Sequence, residues 1–157
     1  MENLPELNIN GIQINQKICE KKDFEFILEM TSQLFPYVLE FHKTIDYDMF
    51  YNRLNIDYKE RILLFYKTER IGFYQISKMD KKLIVKGLFI KKEYQKQGIG
   101  IYMMNYFESI AKKSRLEKIE LLVWENNTPA IEFYKKLNYG IISTENHKHT
   151  MIKKITK

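Results

Sequence analysis

Cysteine is almost missing from this chain: Cys19 alone stands among 157 residues. That excludes an internal disulfide and any metal site built on a cysteine cluster, and it suits a reducing compartment. Cys19 itself reads as a small buried apolar residue on a strand rather than as a nucleophile. Proline is scarce too, with three residues, and no proline-rich linker, internal repeat or low-complexity tract interrupts the sequence. Residues 1–157 therefore read as one domain, and 45% hydrophobic with 14% aromatic residues is ample material for a single buried core. No apolar run approaches the length needed to cross a bilayer. Met1-Glu2-Asn3-Leu4-Pro5-Glu6 opens with acid where a secretory leader has basic residues and an apolar block, so the expectation is a cytoplasmic protein without a membrane partner. Charge of one sign is not concentrated anywhere. The net charge is +6, but the 26 basic residues are scattered among 20 acidic ones, and no basic helix carries interleaved aromatics, so no nucleic-acid partner is expected. His42, His147 and His149 lack a second pair at ligand spacing and read as surface histidines; no metal is expected.

Against these absences stands one concentrated feature. Gln95-Lys96-Gln97-Gly98-Ile99-Gly100 lies between a strand-like run, 83–90, and a helical pattern reaching about residue 114, whose apolar face is Ile99, Met103, Phe107, Ile110 and Ala111. Glycine lets the backbone approach a ligand with no Cβ in the way, and the first turn of a helix offers unpaired N–H groups with partial positive charge. Lys91, Lys92 and Lys96 against the single Glu93 add a local positive balance. The segment is shaped and charged for a diphosphate. It is not a P-loop, because Gly100 is followed by Ile101 and Tyr102 where Lys-Ser or Lys-Thr would stand. Nor is it a dinucleotide fingerprint, because Met103 takes the place of the third small residue.

Periodicity gives the rest of the order. Ile12, Ile14 and Ile18 alternate as a first strand, and Asp23 opens a helical stripe through Phe24, Ile27, Leu28 and Leu34 that Pro36 is expected to end. A second helix is expected over about 46–54. Segments 61–66, 71–79 and 83–90 read as an antiparallel meander. Residues 119–124 form an apolar run broken only by Glu120, as in a strand buried on both faces, before the loop and helix start Asn126-Asn127-Thr128-Pro129. Ala130, Phe133, Tyr134 and Leu137 give another helical stripe, and segments 140–143 and 148–154 read as a closing hairpin whose exposed strands would allow a homodimer.

Leu88-Phe89-Ile90 followed by Gln95-x-x-Gly98-x-Gly100, then Asn127-x-x-Ala130-x-x-Phe133-Tyr134-x-x-Leu137-x-Tyr139, resembles the GNAT superfamily of N-acetyltransferases over roughly residues 83–139. The resemblance implies an α/β (α+β) fold: a mixed, mostly antiparallel sheet of six to seven strands, flanked by about four helices. Two of its strands, 83–90 and 119–124, would run parallel and splay apart. It implies acetyl-CoA as co-substrate. The backbone of Leu88, Phe89 and Ile90 would pair with the pantetheine arm, and the amides of Gln95, Lys96, Gln97, Gly98, Ile99, Gly100 and Ile101 would hold the pyrophosphate. Asn127 matches the asparagine near the pantetheine arm, and Tyr134 the tyrosine beside the thioester sulfur. Without the resemblance, Asn127 reads as a helix cap and Tyr134 as a packing residue. Two positions depart from the pattern: Asn138 replaces a glycine before the last aromatic residue, and Leu122 stands where some members carry a glutamate.

Transfer to an amine needs the neutral amine, and an alkylammonium of pKa about 10.4 costs roughly 4 to 5 kcal/mol to deprotonate at neutral pH. Glu120, Glu125 or a water relay from either are the bases open by position. A backbone N–H at the end of segment 83–90 is expected to stabilise charge on the carbonyl oxygen. The implied acceptor is a small-molecule or peptide amine, entering over the first two helices and the closing hairpin; the stretch 35–41 with Asp46, Tyr47 and Asp48 reads equally as the lining of that entrance and as the buried seam of two helices. A non-catalytic acyl-CoA sensor is the alternative reading, and a nucleic-acid binder ranks last.

Overall fold

Asn10 and Gly11 both take left-handed backbone, with φ of 52° and 85°. This is the geometry of a two-residue hairpin turn that Asn-Gly adopts readily. In this computed structural model, which describes residues 3–155, the turn joins β1 (Leu7–Ile9) to β2 (Ile12–Ile18) with Ile9 opposite Ile12. The remaining strands are β3 (Arg61–Tyr66), β4 (Glu69–Met79), β5 (Lys82–Ile90), β6 (Lys118–Trp124), β7 (Gly140–Glu145) and β8 (Lys148–Lys154). Among the described residues they form one sheet in the order β1-β2-β3-β4-β5-β6-β8-β7, antiparallel except for the β5–β6 pair. The mixed architecture is the one expected. The strand count rises to eight because of β1, and the signal for β1 was the Asn10-Gly11 pair between alternating apolar residues.

The helices are α1 (Phe24–Thr31), the five-residue α2 (Phe35–Leu39), α3 (Tyr47–Asp57), α4 (Ile99–Lys113) and α5 (Thr128–Lys136). Pro36 does not end a helix. It sits in the first turn of α2, where a missing N–H leaves no helical bond unmade. Asp46 caps α3 by accepting from Met49 N–H at 2.9 Å.

Two apolar layers sandwich the sheet. On one face α4 lowers Met103, Met104, Phe107 and Ala111 onto Leu83, Val85, Ile119, Leu121 and Met151. On the other, Phe24, Ile27, Met30 and Leu54 from α1 and α3 cover Leu63 and Phe73, with Cys19 buried among them. Full burial of each large side chain contributes roughly 1.5–3 kcal/mol, so these layers fix the sheet's register. The second layer stops at β5. Leu122 on β6 is 61% exposed, which corrects the expectation of a strand buried on both faces: only Ile119, Leu121 and Val123 are covered.

Asn138 carries φ of 73° just past α5. Its N–H donates to Lys135 O and that of Tyr139 to Tyr134 O, both at 3.0 Å, the bond pair of a Schellman stop. Asparagine thus serves where glycine was expected.

Candidate active site

β5 and β6 pair only from Lys82 opposite Lys118 to Val85 opposite Leu121. Beyond that rung each strand follows its other neighbour. β6 stays on β8 as far as Trp124 opposite Lys148, and β5 stays on β4 as far as Ile90 opposite Gly72. The parting coincides with a bulge: Gln75 faces Gly87 and Ile76 faces Val85, leaving Lys86 as an extra residue that bends β5. Gly72 lets β4 follow, since a Cβ there would come within 2.3 Å of Phe89 O. The result is a V-shaped opening with the ends of β5 and β6 as its walls.

Lys91 N–H bonds to Ile71 O at 2.7 Å. By strand alternation Phe89 then turns its peptide groups toward β4, while Leu88 and Ile90 turn theirs into the opening. Ile90 O accepts from Gln95 Nε2 at 2.8 Å and from Gln33 Nε2 at 3.4 Å. The strand end therefore already receives hydrogen bonds where an extended ligand arm would lie.

The loop after β5 leaves its backbone amides unpaired. Lys96 and Gly98 take left-handed backbone, φ 61° and 85°, and Gly98 is the residue before α4. The first helical bond runs from Tyr102 N–H to Gly98 O at 3.0 Å. Among the described residues, no backbone N–H from Lys96 to Ile101 has a protein partner. Lys91 is bound to Glu69 at 3.2 Å, which leaves Lys92 and Lys96 without an ion-pair partner among the described residues. Gly100 faces α5 so closely that a Cβ would lie 3.2 Å from the Phe133 ring. Both glycines permit close approach, Gly98 through its backbone conformation and Gly100 through packing.

Across the opening, Asn127 is 8% exposed and its Oδ1 accepts from Ala130 N–H at 3.3 Å, capping α5. The cap fixes the start of the helix that carries Tyr134. Burial pushes the Tyr134 phenol up to about 12 from its ordinary 10.

A cleft of 570 Å³ gathers these parts. Leu88, Phe89, Ile90, Gln95, Lys96, Gly98, Gly100, Ile101, Asn127 and Tyr134 all line it. Gln97 and Ile99 do not: the Gln97 side chain bonds to Glu93 O at 3.1 Å, and Ile99 is buried in the core. The assignment to both rested on backbone amides, which remain unpartnered. Sequence reasoning missed Gln33, Leu34 and Tyr94, which also line the cleft, while Tyr37, from the stretch expected at the entrance, lines it too. Phe133, Pro129 and Ala130 complete it from α5.

The candidate bases separate cleanly. Glu120 lies on the paired side of the β5–β6 fork and is bound by Lys82 Nζ at 3.1 Å through both oxygens. Glu125 lies past the open end of β6 and bonds to His147 Nδ1 at 3.0 Å. The His147 ring stacks on Phe41 at 4.0 Å, and Phe41 stacks on Trp124 at 6.1 Å. Beside them Asn126 Nδ2 donates to Tyr37 O at 3.1 Å and to Glu40 Oε2 at 2.6 Å, tying α2 to the β6–α5 loop. Of the acidic stretch expected at the entrance, Glu40 is there, while Asp46 serves α3 as its cap.

Comparison with known proteins agrees with this geometry. The model of the acetyltransferase (GNAT) family matches residues 24–139. A PaiA N-acetyltransferase from Thermoplasma acidophilum, solved with coenzyme A, superposes with a TM-score of 0.68 at 20% identity, covering 90% of this chain and 98% of that one. A GNAT-family acetyltransferase from Staphylococcus aureus gives 0.72 at 16% identity, with 91% and 99% covered. Naa50 from Arabidopsis thaliana, bound to the bisubstrate analogue CoA-Ac-MVNAL, gives 0.63 at 21% identity, with 89% and 97% covered.

Proposed function

The chain belongs to the acetyltransferase (GNAT) family, and we propose that it moves an acetyl group from acetyl-CoA to a primary amine, on a small molecule or a peptide, by direct attack in a ternary complex. The observation that carries this reading is the run of unpartnered amides from Lys96 to Ile101 at the rim of the 570 Å³ cleft. Coenzyme A bound to the PaiA neighbour and a CoA-peptide analogue bound to Naa50 support the same class of ligand.

Lys96 and the amides of Gln97, Gly98, Ile99, Gly100 and Ile101 would take the diphosphate, with the partial positive charge of the α4 N-terminus behind them. The inward peptide groups of Leu88 and Ile90 would pair with the pantetheine arm, Phe89 anchoring the strand from its β4 side. This requires the Gln95 and Gln33 amides to yield Ile90 O or share it. Asn127 would contact the arm from the opposite wall while keeping its cap. Acetyl-CoA supplies an activated acyl group, and everything else required is protonic and positional.

The composition of the cleft supports direct attack. None of the cleft-lining residues is a cysteine, serine or histidine. Cys19 is 1% exposed under α1, its thiol pushed up to about 11 by burial first and Asp23 second. The amine is therefore the proposed nucleophile, attacking the thioester carbonyl without a covalent acyl-enzyme.

Glu120 is neutralised by Lys82 and sits at the wrong end of the fork. Glu125, with His147, is the carboxylate at the open end and is the proposed proton acceptor, directly or through water. Tyr134 is the proposed proton donor to the departing thiolate. With its phenol near 12 and a free thiol near 8.5, a complete proton transfer to the released thiolate is uphill by about 5 kcal/mol, so the proposed role is a hydrogen bond that shares the proton with sulfur as the C–S bond breaks.

The test is a panel of primary amines, including polyamines, amino acids and peptide N-termini, assayed with acetyl-CoA by release of free thiol. At least one class should give saturable turnover with acetylated product. Thiol release that never exceeds hydrolysis without amine would overturn the reading.

A further inference from the structure

The tip of the first hairpin touches the loop that would hold the diphosphate, although 87 residues separate the two in sequence. Asn10 Nδ2 donates to Gln97 O at 3.0 Å. Three facts make this more than a surface contact.

The first is the rigidity of the peptide unit. In a trans peptide the C=O of one residue and the N–H of the next point in opposite directions. Holding Gln97 O outward, toward the hairpin, therefore directs Gly98 N–H inward, toward the cleft that Gly98 lines. The second is fit. A Cβ on Gly98 would stand 3.0 Å from Asn10 Nδ2, so the hairpin tip and the loop backbone are packed against each other. The third is the way both sides are fixed. Asn10 is set by its left-handed turn and by Gly11 N–H donating to Asn8 Oδ1 at 3.0 Å, and Gln97 by its side-chain bond to Glu93 O at 3.1 Å. A donor on a stiff turn meets an acceptor on a loop whose own backbone bonds are few.

We propose that Asn10 is a positioning residue: it pins the Gln97–Gly98 peptide in the orientation that presents Gly98 N–H to the diphosphate of the cofactor. This rests on the cofactor reading given above. Without the pin, the peptide between the left-handed residues Lys96 and Gly98 can rotate, and the amide must be reoriented each time the ligand binds.

The experiment compares the full-length parent chain with Asn10→Gly and Asn10→Asp by calorimetry, using three probes: coenzyme A, ADP and pantetheine. Glycine keeps the left-handed turn and removes the donor, and aspartate replaces the donor with an acceptor of similar shape. Both variants should melt, unliganded, close to the parent. Affinity for coenzyme A and for ADP should fall by roughly three- to tenfold, the effect of one hydrogen bond, and more for aspartate, whose charge repels the ligand. Pantetheine, which lacks the diphosphate, should bind all three proteins alike. If both variants bind coenzyme A as the parent does, or lose pantetheine as steeply as ADP, the positioning role is wrong while the cofactor reading stands. If the parent binds neither coenzyme A nor ADP, the cofactor reading fails and the proposal with it.

Discussion

Lys82 Nζ grips both carboxylate oxygens of Glu120 at 3.1 Å, across the last stretch in which β5 and β6 still run side by side. The pair belongs to the closed end of the fork, and that location makes it structural. Glu120→Gln should leave turnover within about twofold and destabilise the protein by about 1 kcal/mol, because the pair is only partly shielded from water. Glu125→Gln should do the reverse, lowering kcat by about 100-fold with little change in stability. Parallel melts and steady-state kinetics of the two variants check this.

Tyr134→Phe removes the one hydroxyl proposed to protonate the leaving thiolate and leaves the ring that packs against Phe133 and Tyr139. Turnover should drop by about 100-fold, in the range of a lost general acid, with coenzyme A affinity within about twofold of the parent. A non-catalytic sensor would show no turnover to lose, so kinetics and calorimetry on the same pair of proteins separate the readings.

Asn138→Ala should destabilise by roughly 1 kcal/mol, since alanine tolerates the left-handed conformation less well than asparagine. Asn138→Gly should match or exceed the parent. Thermal denaturation of the three chains decides it, and a melt of Asn138→Ala equal to that of Asn138→Gly would count against strain at the end of α5.

Alkaline pH should weaken the fold. Burial raises Cys19 to about 11 and Tyr134 to about 12, and pushes Tyr74 and Tyr139 up further. Each group keeps its proton in the folded state at a pH where the unfolded chain has lost it. Their contribution is complete below about pH 9 and declines as pH rises through the folded values, so ΔG of unfolding should fall from about pH 9 upward. Cys19→Ser should remove the earliest part of that decline, and urea titrations between pH 8 and 11 measure it.

The helix α4, its glycine entry and the stripe on α5 could be read from the chain because each has a strong local cause: 3.6-residue apolar spacing, unpaired first-turn amides, and an Asn-Thr-Pro start. The Asn10-Gly11 turn had an equally local signal and was passed over, although its side chain proves to reach the loop 87 residues away. Other features had no local signal. The Lys86 bulge depends on which residues β4 sets opposite β5, and the commitment of Glu120 to Lys82 depends on where the two strands part. Gln33 and Leu34 face the cleft because the short link between α1 and α2 lies beside Ile90, a tertiary fact no spacing within their own segment records. Leu122 misled because an apolar run marks a strand without showing how far a covering helix extends.

The most direct test of the site is to titrate the parent chain with coenzyme A by calorimetry at modest ionic strength. The account predicts saturable heat with one molecule bound per chain, competed by ADP and weakened when Gly98 is replaced by alanine. No heat with the parent, or heat of the same size from a chain carrying Gly98→Ala, would contradict it.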